Sequence, residues 1–301
     1  MSKVITVFGA TGNQGGSVIK HILADPSLSK EFTIRGVTRD TSKPAAQSLS
    51  KQGVQLVKAD LNSKGSITKA IRGSHTVFLV TNYWETADPK VELTQGKNVA
   101  DVAKTLGVSH IIFSSLLNVT ETTGGRLTHV PHFDGKAVIE KYIRASGIPG
   151  TFVLPGYFMS NYTQMLQKSE DGSSYTLAYP VSKEAKFPLF DPEDTGKFVN
   201  PALKNPPAWY GKQILAVTDY YTPDRITSEF EEVTGKKINY IQVTPDQYKG
   251  FLPPSVAEEF LENHLFIENP GYYNGASLKE SLDALEDKPT TWKEYAKKTF
   301  A

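Results

Sequence analysis

Two side chains with acid–base chemistry sit four residues apart in "HFDGK": His132 and Lys136. The run that follows, "AVIEKYIRA", has helical spacing, so one helix face can carry both. Imidazole exchanges protons near neutrality, and an ammonium can orient a hydroxyl or favour a neighbouring anion. His132 therefore has three readings. It passes a proton as a general acid, it lines a pocket without reacting, or it lies beside a helix start with no role.

A second motif says what such a pair would act beside. "VFGATGNQGGSVIKHIL" places Gly9, Gly12 and Gly15 as G-x-x-G-x-x-G between a strand-like run and a helix-like run. One glycine permits the strand-to-helix turn, one lets backbone amides approach a pyrophosphate, and one lets helix and strand pack closely. The free N–H groups and dipole of the helix start then favour phosphate. Asn13 and Gln14 add side-chain donors. A dinucleotide is the expected ligand.

The second strand decides which one. An NAD site carries an acidic residue there, about 20 residues beyond the glycines, for the ribose 2′-OH. Here the strand ends "TIRGVTRD". Arg39 is placed to stack on adenine and pair with a 2′-phosphate, with Lys43 as a second cation. Asp40 is the competing choice and would favour NAD(H), so NADP(H) is preferred and NAD(H) possible. At the third strand end Asp60 and Leu61 border the adenine. At the fourth, Thr81, Asn82 and Tyr83 lie along the phosphates and ribose. Pro155, Tyr157 and Phe158, after the sixth strand, form an apolar wall at the nicotinamide end.

These residues need a scaffold, and the first half of the chain spells one. Strand-like runs "KVITVFG", "FTIRGVTR", "GVQLVKAD", "HTVFLVTN", "SHIIFSS" and "GTFVLPG" alternate with helix-like runs such as "GSVIKHILAD", "ELTQGKNVADVAKTLG" and "GKAVIEKYIRAS". That rhythm predicts βαβ units, a parallel sheet and right-handed crossovers. The fold class is α/β, a Rossmann-type doubly wound parallel sheet with a smaller mixed α/β C-terminal lobe. Residues 1–156 form the dinucleotide-binding part, with a further sheet strand near 213–219. Residues 157–301 form the smaller lobe, interleaved with the end of the sheet. There "RITSEFEEVTGKKINYIQVT" predicts a helix, a glycine stop and a strand, and "PPSVAEEFLENHLFIE" another helix.

Composition narrows the alternatives. The chain has 301 residues with net charge +1, so bulk charge does not draw it to nucleic acid. It has no Cys, which excludes thiol catalysis and thiolate metal sites. His129 and His132 share a segment without acidic residues at metal-ligand spacing, so no metal is expected. No apolar run approaches the roughly 20 residues of a membrane span. The start "MSKVITVFGATG" lacks a signal-peptide layout, so a cytoplasmic or nucleocytoplasmic protein is expected. Two N-x-T sequons, at Asn118 and Asn161, are then chance matches.

Taken together, "VFGATGNQGGSV", the basic residue in "VTRD", "KADL", "HFDGKAVIEKYIRASG", "PGYFMSNY" and "FPLFDPEDTGKFV" resemble the NmrA-like proteins, atypical members of the short-chain dehydrogenase/reductase superfamily. The resemblance spans nearly the whole chain. It implies NADP in a cleft between a Rossmann domain and a small lobe. Gly9, Thr11, Gly12, Asn13, Gln14 and Gly15 would contact the pyrophosphate, Arg39 the 2′-phosphate and Lys136 the nicotinamide ribose. Active relatives use Tyr-x-x-x-Lys on the helix after the fifth strand and a Ser at that strand's end. Ser114 and Ser115 are at the strand end and Lys136 is on the helix, but His132 stands at the tyrosine position. Tyr179 and Lys183 match the string by chance, with a proline inside it. The expected function is an NADP(H)-binding redox sensor or transcriptional regulator with a possible protein partner. The alternative is an NADPH-dependent reductase of a small carbonyl, quinone or enone, using His132 and Lys136. A structural interaction module would leave the glycine loop empty.

Overall fold

A computed structural model describes residues 2–301. Its centre is a seven-stranded, fully parallel sheet. Strands β1 (Lys3–Val7), β2 (Phe32–Thr38), β3 (Gln55–Lys58), β4 (Thr76–Leu79), β5 (His110–Ser114) and β6 (Gly150–Pro155) arise from the six expected runs. The chain then forms β7 (Tyr157–Phe158), β8 (Gln167–Lys168), β9 (Ser174–Tyr179), β10 (Phe187–Phe190), β11 (Gln213–Ala216), β12 (Asp219–Tyr221) and β13 (Lys237–Gln242). The large sheet runs β11-β6-β5-β4-β1-β2-β3. The expected strand near 213–219 is thus divided: β11 closes the large sheet beside β6, and β12 turns away to pair antiparallel with β10.

Both faces of the sheet are covered. Val77, Leu79, Ile111, Phe113, Phe152 and Leu154 belong to one apolar core, and Phe78, Ile112 and Val153 to the other. This is the period-two alternation of strands buried on both sides. Helices Pro89–Thr105 and Pro131–Ser146 pack together on the first face. A Cβ at Gly96 would lie 2.6 Å from Ile139, so these helices approach closely because Gly96 has no side chain. On the second face helix Asn13–Ala24 packs against helix Thr195–Lys204, which the sequence pattern did not signal. That helix contains Pro201, yet Phe198, Val199, Ala202 and Leu203 make one buried stripe.

Two small sheets complete the chain, β12-β10-β7 and β13-β9-β8. Helix Pro223–Thr234 ends at Gly235 in the left-handed region, as its glycine stop predicts, and helix Pro254–Glu268 follows β13. Among the described residues no helix is long and apolar enough to cross a membrane. In the large sheet the strand order reverses between β1 and β4. The crevice outside the carboxyl ends of strands at such a switch point is where open α/β sheets bind ligands.

Candidate functional site

The crevice holds a cavity of about 510 Å³. Its floor is the loop after β1, tied to the neighbouring strands by Phe8 N–H to the Phe78 carbonyl (3.0 Å) and Ala10 N–H to the Val37 carbonyl (3.2 Å). Gly9 turns the chain at φ +65°, a conformation that favours glycine. Gly12 caps helix Asn13–Ala24 with no side-chain acceptor and no acid in the first turn. The amides of Asn13, Gln14 and Gly15 therefore lack helical partners and keep their affinity for an anion. A Cβ at Gly15 would lie 2.3 Å from the Gly9 carbonyl oxygen, so only glycine fits. This cradle suits a pyrophosphate. Gly9, Gly12, Asn13, Gln14 and Gly15 line the cavity; Thr11 is on the exposed outer lip.

Of the two candidate serines, Ser114 faces the cavity and donates its hydroxyl to Gln14 Oε1 at 2.8 Å. Ser115 stands apart from it. It is fully buried, its amide completes the ladder to Val153, and it lies outside the cavity lining. One residue of strand alternation separates the two outcomes.

At the β2 end, the Arg39 guanidinium pairs with the Glu85 carboxylate across the crevice mouth, both exposed. Lys43 is exposed at the start of helix Pro44–Lys51. The competing Asp40 closes its own turn, accepting from the Ser42 amide at 2.9 Å and hydroxyl at 2.6 Å. Those donors hold its carboxyl below the usual range. Asp60 does likewise with Asn62, and the Leu61 carbonyl accepts from Asn98. Arg39, Lys43, Asp60 and Leu61 all lie outside the enclosed cavity.

Thr81, Asn82 and Tyr83 line the cavity beyond β4. Lys136 Nζ reaches Thr81 Oγ1 at 2.8 Å, the Thr81 carbonyl at 3.0 Å and Glu92 Oε1 at 2.6 Å. Glu92, on helix Pro89–Thr105, is a buried partner absent from the sequence reading. Helix Pro131–Ser146 begins before the "AVIEKYIRA" run, so His132 lies in its first turn rather than ahead of it. A proline at the first helical position was the available signal.

His132 Nδ1 pairs with Glu259 Oε1, and Glu259 Oε2 accepts from the Tyr83 hydroxyl at 3.1 Å. Burial, then the Glu259 charge, push the Tyr83 phenol up, so it stays protonated. Trp84 packs on the His132 ring, centroids 5.0 Å apart. Next to this trio, Glu262 accepts from the His129 amide at 2.6 Å and pairs with its ring at 2.7 Å. His129, Glu258 and Glu262 bring possible metal-ligand atoms within 4.8 Å of one another. These acids come from helix Pro254–Glu268, so local spacing around the histidines did not reveal them. The same helix supplies Phe260, Asn263 and His264, which line the cavity with Pro155, Tyr157, Phe158 and Tyr272.

A seven-stranded parallel sheet with a bare glycine cradle at its switch point defines a Rossmann-type nucleotide-binding fold. The chain matches the NmrA-like family over residues 1–296 and belongs to it. It is 33% identical over 272 residues to the NmrA-like family domain-containing oxidoreductase ptmS of Penicillium ochrochloron, covering 83% of this chain and 78% of that one. It is 30% identical over 307 residues to an NmrA-like family domain-containing protein of Dictyostelium discoideum, covering 99% and 98%. The crystal structure of NmrA, a negative transcriptional regulator in complex with NADP, superposes with a TM-score of 0.83 at 23% identity, over 99% of this chain and 95% of that one.

Proposed function

We propose that this protein binds a nicotinamide dinucleotide, NADP(H) in preference to NAD(H), as a redox-state sensor that does not consume it. One observation carries the reading. Both side chains placed to move a proton are engaged by carboxylates from other elements, Lys136 by Glu92 in an ion pair and His132 by Glu259 through Nδ1. Cofactor entering the cavity meets helix Pro254–Glu268 through His132 and Glu259, so occupancy alters how that helix sits and what partner surface it presents. Arg39 at the crevice mouth and the self-satisfied Asp40 turn support the NADP preference. NmrA, a regulator solved with NADP, supports the sensor role by analogy.

A second reading rests on the same imidazole. With Nδ1 on Glu259, the other ring nitrogen of His132 carries no protein partner among the described residues. A carboxylate-oriented imidazole lining a cavity is the arrangement of a general acid. An NADPH-dependent reductase of a small carbonyl, quinone or enone would use it so, and ptmS is named an oxidoreductase.

Calorimetric titration should give micromolar or tighter NADP binding, and Arg39→Ala should weaken NADP at least tenfold more than NAD. Failure of the protein to bind either dinucleotide would overturn both readings. NADPH absorbance followed over a panel of quinones, enones and aldehydes should stay flat. Turnover that vanishes in His132→Ala while NADP affinity persists would replace the sensor by the reductase.

A further inference from the structure

The Arg39–Glu85 ion pair bridges two strand ends that are not neighbours. Arg39 follows β2, and Glu85 closes the short turn Tyr83–Glu85 beyond β4. Strands β2 and β4 flank β1 in the large sheet. The pair therefore spans the end of β1, whose loop is the glycine cradle. Arg39 has no other ion-pair partner among the described residues, and the adjacent Asp40 carboxylate is turned to Ser42.

A fixed turn holds Glu85 out to meet the guanidinium. The Tyr83 hydroxyl donates to Glu259 at 3.1 Å, and the Trp84 ring lies 5.3 Å from that of Phe260. The Ala87 amide donates to the Tyr83 carbonyl at 2.8 Å, and Ala87 itself sits at φ +50°. A residue with a Cβ takes that left-handed conformation at a cost and keeps it only where its surroundings impose it.

The pair is nevertheless easily exchanged. Its side chains are 65% and 42% exposed, and solvent leaves such pairs little net strength. A phosphate monoester carries a charge of about −1.5 to −2 at neutral pH and engages a guanidinium through two oxygens. The Glu85 carboxylate brings a single charge. The guanidinium has two binding surfaces: its face stacks on aromatic rings, and its edge carries the N–H donors. Stacking on adenine leaves the edge, and with it the Glu85 pair, in place. A 2′-phosphate needs that edge.

We propose that Glu85 is a specificity-determining residue, a built-in counter-ion that holds Arg39 until a 2′-phosphate displaces it. NADP(H) exchanges the carboxylate for its own phosphate, whereas NAD(H) leaves the ion pair closed. Glu85 acts through Arg39: it keeps the guanidinium at the crevice mouth and lowers the NADP affinity that Arg39 alone would give. The inference rests on the dinucleotide reading and deepens it.

Calorimetric titration of the full chain with NADP and with NAD tests it, in the unaltered protein, Glu85→Gln, Arg39→Ala and the double variant. Gln keeps the length of the side chain and removes its charge. Glu85→Gln should bind NADP about three- to fivefold more tightly, with NAD affinity unchanged. In the Arg39→Ala background the same substitution should gain nothing, because the cation it acts through is gone. A general effect of removing one negative charge would persist there. Unchanged or weaker NADP binding in Glu85→Gln, an equal gain for NAD, or a gain that survives without Arg39 each overturns the inference while the dinucleotide reading stands. Failure of the unaltered chain to bind either dinucleotide overturns both.

Discussion

At Gly15 the phosphate loop tolerates no added methyl. A Cβ there would sit 2.3 Å from the Gly9 carbonyl oxygen and 2.7 Å from that of Phe8, and both obstacles are backbone. Relief requires opening the loop and so disordering the amides of residues 13–15. Gly15→Ala should cost about 1–3 kcal/mol of stability and weaken NADP more than tenfold. Gly16→Ala is the internal control. Its Cβ would meet nothing closer than 3.5 Å, so its effect should be neutral or slightly stabilising, since Ala favours helix over Gly. Thermal melts and NADP titration of both variants check this, and equal behaviour would remove the steric argument. Lys136 presents the electrostatic counterpart. Glu92 is 1% exposed and its Oε2 is unpartnered, and the Lys136 ammonium is the cation paired with it. Removing one member of a buried pair leaves the other unmatched, at about 3–5 kcal/mol. Lys136→Met should lose that much in urea denaturation, and the double variant with Glu92→Leu should recover most of it. No recovery in the double variant would mean that Lys136 stabilises by packing its stem rather than by charge.

Helix Pro254–Glu268 is the element that gives the site its second wall. It breaks the usual amphipathic rule, since Glu259, Glu262, Asn263 and His264 are buried along with Leu261, Phe266 and Ile267. Buried acids persist where partners meet them, and here the partners are His132, Tyr83 and His129. Glu259→Gln keeps the shape and one acceptor but removes the charge, loosening the helix from the β4 end. Hydrogen exchange across residues 254–268 should rise more than tenfold in that variant while exchange in β1, β4 and β5 stays unchanged. Uniform acceleration over the whole chain would instead indicate general destabilisation. This helix also marks where sequence reasoning stopped. Its existence was legible from apolar spacing, and so were β1 to β6 and the glycine cradle, because each is a local pattern closed within a few residues. His132 and Glu259 are 127 positions apart, and Lys136 and Glu92 are 44 apart. No periodicity links such pairs; only the sheet topology brings them together. Helix Thr195–Lys204 escaped for a different reason, since Pro201 masks a buried stripe that forms only against helix Asn13–Ala24.

Across the whole molecule, two histidines are buried as neutral groups, one in each half of the chain. His110 at the start of β5 and His264 beside the cavity are both 0% exposed, and burial pushes each pKa down to about 4. The unfolded chain protonates these rings near pH 6.5. Between those values the unfolded state binds more protons than the folded one, so stability rises with pH there. Their contribution is complete above about pH 6.5 and is lost as the pH falls toward 4. His129 has the opposite sign, because the Glu262 carboxylate raises its pKa. Its stabilisation is complete below about pH 6.5 and is lost above that, but its side chain is 63% exposed and solvent screens the pair. The acid side therefore governs. His110 is the better one to remove, since it takes no part in the cavity; its Nε2 meets Thr151 Oγ1 at 2.9 Å and its Nδ1 is unpartnered. His110→Gln loses that fit but cannot be protonated. Its deficit relative to the unaltered chain should be largest at pH 7 and shrink on the order of 2–3 kcal/mol by pH 4.5. Every carboxylate is common to both proteins and cancels in the difference. Urea denaturation across that range measures it. A deficit independent of pH would mean that His110 is not held neutral by the fold, and would remove the account of acid sensitivity that rests on its burial.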